Sequence, residues 1–136
     1  MNKSEEEWKK QLSPEAYRVL REKGTEAPGS GELLYTDADG TYVCGACGAP
    51  LFQSGTKYES TTPGLIGWPS FDDSIEGAVE FHKDGTMFME RIEAVCANCG
   101  SHLGHFFDDP SSPNGNHYCI NSLSLKFDPA DKNPQK

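Results

Sequence analysis

A mainly β domain, entered through short N-terminal helices and held by two Cys-x-x-Cys pairs, is the fold class this sequence predicts. Three observations carry it. Helix-start signals are confined to the N-terminal part, short strand-and-turn patterns fill the chain from Leu33 onward, and the two cysteine pairs stand 48 residues apart. The 136 residues suit one domain, 1–136, with a core over about 12–127. Only 35% of them are hydrophobic, and so small a core calls for a staple such as a metal or disulfides.

The elements follow in order. Ser4 and Glu7 form a capping-box pattern. Ser13-Pro14-Glu15 marks a second helix start, with Ser13 as N-cap and Pro14 in the first turn. Tyr17 and Leu20 can share a face of that helix, and Gly24 is its expected stop. Residues 25–31 hold Pro28, Gly29 and Gly31 and read as a loop. Asp39-Gly40 and Asp84-Gly85 are hairpin signals, the second lying between apolar runs that suit two paired strands. Residues 91–95 continue the later strand into Cys96. Residues 118–125 alternate, which predicts a strand with Cys119, Asn121 and Leu123 on one face. After Phe127 the polar segment with Pro129 and Pro134 reads as a loose tail.

Charge narrows the function classes. A formal net charge of −9 speaks against nucleic acid, which needs clustered Lys and Arg. No apolar run is long enough to span a bilayer, and the polar N-terminus lacks a signal-peptide stretch. The expected compartment is the cytosol, and the chain is expected to act as a monomer.

Five cysteines in a reducing compartment point to metal or catalysis rather than disulfides. Cys44-Gly45-Ala46-Cys47 and Cys96-Ala97-Asn98-Cys99 are each followed by glycine, Gly48 and Gly100. Two thiolates two residues apart can hold one tetrahedral ion, and the glycine permits the turn. One structural Zn2+ per chain on Cys44, Cys47, Cys96 and Cys99 is therefore expected, with zinc pinning two ends of an intervening sheet. The alternatives are a redox Cys-x-x-Cys, which wants a thioredoxin-like βαβ setting not seen here, and an iron–sulfur centre.

That leaves Cys119. It reads either as a buried small hydrophobe or as a nucleophile. Asn121 nearby, and His102 and His105 just after the second knuckle, supply the thiol-plus-imidazole set needed for thiolate chemistry and proton transfer. His82 keeps a plain surface reading. Trp68 and Phe71 in Gly67-Trp68-Pro69-Ser70-Phe71 are either core or an apolar wall for a ligand methyl group.

Taken together, these pieces resemble the B-type methionine sulfoxide reductases. The matching residues include Leu12-Ser13-Pro14-Glu15, Gly24-Thr25-Glu26, Tyr42-Val43-Cys44, Cys47-Gly48-Ala49-Pro50-Leu51-Phe52, Gly67-Trp68-Pro69-Ser70-Phe71, the run from Cys99 to His105 and Tyr118-Cys119-Ile120-Asn121-Ser122. The resemblance implies two antiparallel sheets, a zinc remote from the chemistry, and thiol-dependent reduction of methionine-R-sulfoxide in oxidised proteins and peptides. It implies Cys119 as nucleophile, with His102, His105 and Asn121 at active-site positions. It also implies Trp68 against the substrate's S-methyl, Asp109 as an acidic residue near the site, and thioredoxin as the usual reductant. Two departures stand out. The family's arginine before Tyr-Cys is His117 here, and its resolving cysteine before Gly-Trp-Pro is Ile66, preceded by a longer segment over 61–66. A one-cysteine cycle with an external thiol is therefore expected. The competing reading is a zinc-clipped protein-interaction module of the same fold without catalysis.

Overall fold

A computed structural model of the chain describes residues 4–22, 24–27, 29, 31, 33, 34, 36, 38–61, 67–86 and 89–129. Two short helices precede the strands, α1 (Glu5–Gln11) and α2 (Pro14–Leu20). The capping box at Ser4 and Glu7 is formed in both directions, at 3.2 and 2.9 Å. Ser13 Oγ accepts from the Ala16 N–H at 3.1 Å, so the second cap forms where expected. Leu20 is buried and Tyr17 packs beside the core. The helix ends before Gly24, with Arg21 as its cap, and the Gly24 N–H turns back to the Arg18 carbonyl.

The strands are β1 (Gly40–Cys44), β2 (Pro50–Gln53), β3 (Lys57–Tyr58), β4 (Ser70–Phe71), β5 (Val79–Thr86), β6 (Met89–Cys96), β7 (His102–Asp108), β8 (Asn116–Ile120) and β9 (Leu125–Pro129). They make two antiparallel sheets, a small one in the order β2-β1-β9 and a large one in the order β3-β4-β8-β7-β6-β5. The core lies where the sheets meet. Phe52 of the small sheet stacks on Phe71 of the large one at 4.3 Å between ring centroids, and Tyr42 meets Phe71 edge-on at 5.1 Å. Tyr118 meets Phe52 edge-on from β8. Such aromatic pairs add specific geometry to the burial of a large apolar area.

Four expectations need correcting. Asp39-Gly40 is not a hairpin turn, because Gly40 already opens β1 between β2 and β9. Glycine is needed there because a Cβ would press on the Asp128 carbonyl and the Phe127 ring. Asp84-Gly85 lies inside β5, since pairing with β6 continues to Thr86 and Met89. A continuous ladder outweighs the local turn preference of that dipeptide. The expected strand over 118–125 breaks at Asn121, where a 3-10 turn (Ser122–Ser124) carries the chain from one sheet to the other. Alternation alone cannot register a change of partner sheet. Finally, β9 extends order past Phe127 to Pro129, because it pairs with β1. Ile66 and most of the 61–66 segment lie outside the described residues, as does the chain after Pro129.

Phe71 is fully buried in the aromatic core. Phe71→Ala should cost about 3–5 kcal/mol, the usual range for emptying an aromatic core position. Urea unfolding would show this as a lower midpoint at unchanged slope.

Candidate active site and metal centre

The two cysteine knuckles are the same turn built twice. Gly48 N–H bonds the Cys44 carbonyl and Gly100 N–H the Cys96 carbonyl, and both glycines have positive φ, 81° and 78°. One knuckle joins β1 to β2 and the other joins β6 to β7. The four sulfurs therefore come from both sheets, and they lie within 4.8 Å of one another. The expectation that zinc pins two ends of one sheet is thus corrected, for the cluster joins two sheets.

The donor set fits zinc. Cys44–Cys99 and Cys47–Cys96 sulfurs are 3.7 and 3.6 Å apart. Four thiolates at zinc bonding distance stand about 3.8 Å apart at the corners of a tetrahedron. A disulfide needs about 2.05 Å, and no cysteine is so bonded. Main-chain N–H groups of Ala46 and Cys47 point at Cys44 Sγ, and Asn98 Nδ2 donates to Cys47 Sγ at 3.2 Å. The crowded sulfurs push Cys44 up and hold Cys99 well below the usual thiol range. A divalent cation would be held by these four sulfurs and would offset their mutual crowding.

Strand β7 leaves the second knuckle and enters the candidate active site. Its pairing with β6 slips by one residue at Leu103. The slip returns His102 to the face that carries His105, although the two are three residues apart. Their rings meet at 5.4 Å. His102 is buried, with Nδ1 2.8 Å from Glu93 Oε2. His105 stands directly across from Cys119 of β8, and Ser70 of β4 stands across on the other side. Tyr118 and Ile120 point the opposite way, into the core.

Cys119, His105, Asn121, Trp68, Thr25, Gly104 and Phe107 line one cleft of about 120 Å³. Asn121 is fixed at both ends of its amide: Oδ1 accepts from the Glu26 N–H at 3.0 Å and Nδ2 donates to the Leu103 carbonyl at 3.1 Å. Trp68 Nε1 donates to the Glu26 carbonyl at 3.0 Å. Gly104 is required because a Cβ there would collide with the Cys119 carbonyl oxygen. Burial, and next the charge of Glu26, push the Cys119 thiol up to about 12. Burial thus favours the neutral thiol in the free cleft.

His117 and Asp109 do not line the cleft. Both are fully buried, His117 on the face of β8 that carries Cys119 and Asp109 just past the end of β7, with His117 Nδ1 2.9 Å from Asp109 Oδ2 and 2.8 Å from the Tyr58 hydroxyl. Tyr58 and Ser60 both donate to Asp109 Oδ2 at 2.7 Å. His117 Nε2 lies 3.3 Å from Ser70 Oγ, the cross-strand neighbour of Cys119. Burial lowers the His117 imidazole below its ordinary value despite the Asp109 hydrogen bond. That shift disfavours the positive charge that an arginine would carry at this position. Phe71 is likewise absent from the cleft. Sequence reasoning missed Tyr58, Ser60 and Glu93, which lie far from Cys119 along the chain, and Phe107, two residues along β7 from His105.

The SelR domain family matches residues 12–129. A protein of Methanosarcina barkeri (strain Fusaro / DSM 804) named "Peptide methionine sulfoxide reductase MsrB" is 54% identical over 136 residues, covering 99% of this chain and 93% of that protein. The chain belongs to the MsrB family. MsrB relatives from Methanosarcina mazei and Leptospira interrogans are 56% and 55% identical, each over 93% of this chain and over 89% and 95% of their own lengths. The match spans both knuckles and every cleft residue of this MsrB chain. The tetrathiolate centre is accordingly the structural zinc site of an MsrB fold.

Two outcomes follow for this MsrB chain. Metal analysis should give one zinc per chain, and Cys47→Ser should lose it together with much of the fold, since such sites contribute on the order of 10 kcal/mol. Zinc-free yet fully folded protein would contradict this. The second concerns acid. His117 in the unfolded chain takes up a proton near its ordinary 6.5, whereas in the fold it does so only at lower pH. Stability is therefore intact above about pH 6.5 and falls as pH drops below it. His117→Gln should flatten that part of a melting-temperature profile.

Proposed function

We propose that this chain reduces methionine-R-sulfoxide in peptides and proteins to methionine, at the expense of an external thiol. The observation that carries the reading is the cleft, where one thiol, one imidazole, one fixed carboxamide and one indole converge. At about 120 Å³ it falls below the ~300 Å³ lower range of sites for whole drug-sized ligands. A space of that size suits the tip of a side chain. The indole of Trp68 serves as a wall for the S-methyl, and the Asn121 amide and His105 imidazole recognise the sulfoxide oxygen. The S epimer exchanges methyl and oxygen, so one of them meets the wrong surface.

Cys119 is the nucleophile. Its sulfur attacks the sulfoxide sulfur while a proton reaches the oxygen by way of His105. The oxygen then passes to Cys119, methionine leaves with its sulfur reduced by two electrons, and Cys119 is left as sulfenic acid. His102, held by Glu93 and lying against His105, orients that ring from behind. His117 and Asp109 act through Ser70 rather than on the substrate. A first external thiol displaces water from the sulfenic acid to give a mixed disulfide, and a second releases Cys119. The four remaining cysteines stay on zinc, and Ile66 stands where a resolving cysteine is expected, so thioredoxin or a similar reductant meets Cys119 directly. The cleft is complete within one chain, which suits a monomer. Its free thiol and thiolate centre suit a reducing compartment such as the cytosol. Among the described residues no helix is long and apolar enough to cross a membrane. A binding module without chemistry leaves the thiol–imidazole cleft without a role.

Cys119→Ser should remain folded and lose reduction of a methionine-R-sulfoxide peptide by at least about a thousandfold, because a hydroxyl is a far weaker nucleophile. Wild-type protein treated with one equivalent of that peptide without reductant should gain one oxygen on Cys119 in its mass spectrum. A disulfide from Cys119 to a zinc cysteine would refute the external-thiol cycle.

A further inference from the structure

Glu26 has no role in the chemistry above, yet it meets the site at two points and the turn that follows it at a third. Its N–H holds Asn121, its carbonyl holds Trp68, and its Oε1 accepts from the Leu123 N–H at 2.9 Å. The side chain is only 3% exposed, and Oε2 has no hydrogen-bond partner among the described residues. A buried carboxylate oxygen left unpartnered is costly, so its presence calls for a reason beyond packing. Its surroundings are tight. A Cβ on Gly31 would press on both the Glu26 carboxylate and Ser122, so the carboxylate is wedged between that glycine and the Ser122–Ser124 turn.

We propose that Glu26 is a positioning residue of the sulfoxide site. Its anchored carboxylate fixes the main-chain segment that holds Trp68 and Asn121, and it adds a negative charge beside the residues that line the cleft with Cys119. This deepens the proposed function and rests on it. Trp68 and Asn121 come from separate loops, and no hydrogen bond joins them directly among the described residues. Glu26 gives them a common reference through the two ends of one residue. Its charge acts with burial on the thiol. The other titratable groups around Cys119 are His105 across β7, the His102–Glu93 pair behind it, and His117 with Asp109 and Tyr58 beyond Ser70. A thiol kept neutral is a poor target for peroxide, because oxidation follows thiolate character. A sulfoxide that brings its own proton acceptor can still react with it.

Two variants separate the parts. Glu26→Gln keeps the shape and the Leu123 contact but removes the charge. The iodoacetamide alkylation rate of Cys119, mapped by mass against pH, should rise about three- to tenfold near pH 8, up to one pKa unit of thiolate gain. Glu26→Ala loses the anchor as well. Its KM for the sulfoxide peptide should rise at least about tenfold, and the Trp68 indole N–H resonance should shift. Glu26→Gln should regain most of that KM. Wild-type alkylation rates in Glu26→Gln would overturn the electrostatic part, and an unmoved KM and indole resonance in Glu26→Ala would overturn the positioning part. Alkylation and the indole signal need no turnover. A wild type inactive on sulfoxide would therefore defeat the proposed function while these readouts still judged Glu26.

Discussion

Four sulfurs drawn from two sheets form the joint on which the rest of the molecule depends. The small sheet has three strands and the large one reaches its neighbour through a modest aromatic core. For a chain with so little apolar material, a metal at the junction supplies what burial does not. The helices use the same joint. Gln11 of α1 donates to the Ala46 carbonyl inside the first knuckle at 2.8 Å. Arg21 after α2 donates to the Cys99 carbonyl and Ser101 Oγ of the second, both at 3.1 Å. The same guanidinium lies 5.2 Å from the Trp8 ring and pairs with Glu5. The N-terminal helices are thus seated on the two turns that hold the sulfurs, one on each.

The cleft inherits its geometry from this joint by a short route. Two residues separate Cys99 from His102, and the slip at Leu103 settles which face of β7 the imidazoles occupy. Across the sheet, Cys119 is fixed between Ser70 and His105 by ordinary antiparallel register. The large sheet therefore has two different faces. One is aromatic and packs against the small sheet, and the other gathers Glu93, His102, His105, His117, Cys119 and Ser70. Strand alternation produces both faces from the same residues, which is why a one-residue slip in β8 would exchange the thiol with Tyr118 or Ile120.

What could be read from the sequence follows the range of each interaction. The helix caps at Ser4 and Ser13 depend on contacts three residues apart and were legible in full. The knuckles were legible because ligand spacing within each is local, but their joining of separate sheets was not, since that depends on which strands pair. Asn121 was placed beside Cys119 on the strength of a strand that in fact ends between them. Both still line the cleft, because the chain turns only after Ile120. The Asp109–His117–Tyr58 cluster and the anchoring by Glu26 span dozens of residues and leave no periodic trace. Phe71 was readable as core or ligand wall, and only register shows it facing away from Cys119.

The pairing of β1 with β9 sets the order in which the molecule can be made. Gly40 lies opposite Pro129, so the central strand of the small sheet lacks one neighbour until the far end of the chain has been synthesised. Closing a loop of that length is entropically slow, and ribosomes add residues at only about 5–20 per second. Until β9 arrives, β1 and β2 form a bare hairpin, which is marginal in water. An emerging chain therefore leaves Tyr42 without its Phe127 neighbour for several seconds, at about 5–20 residues per second.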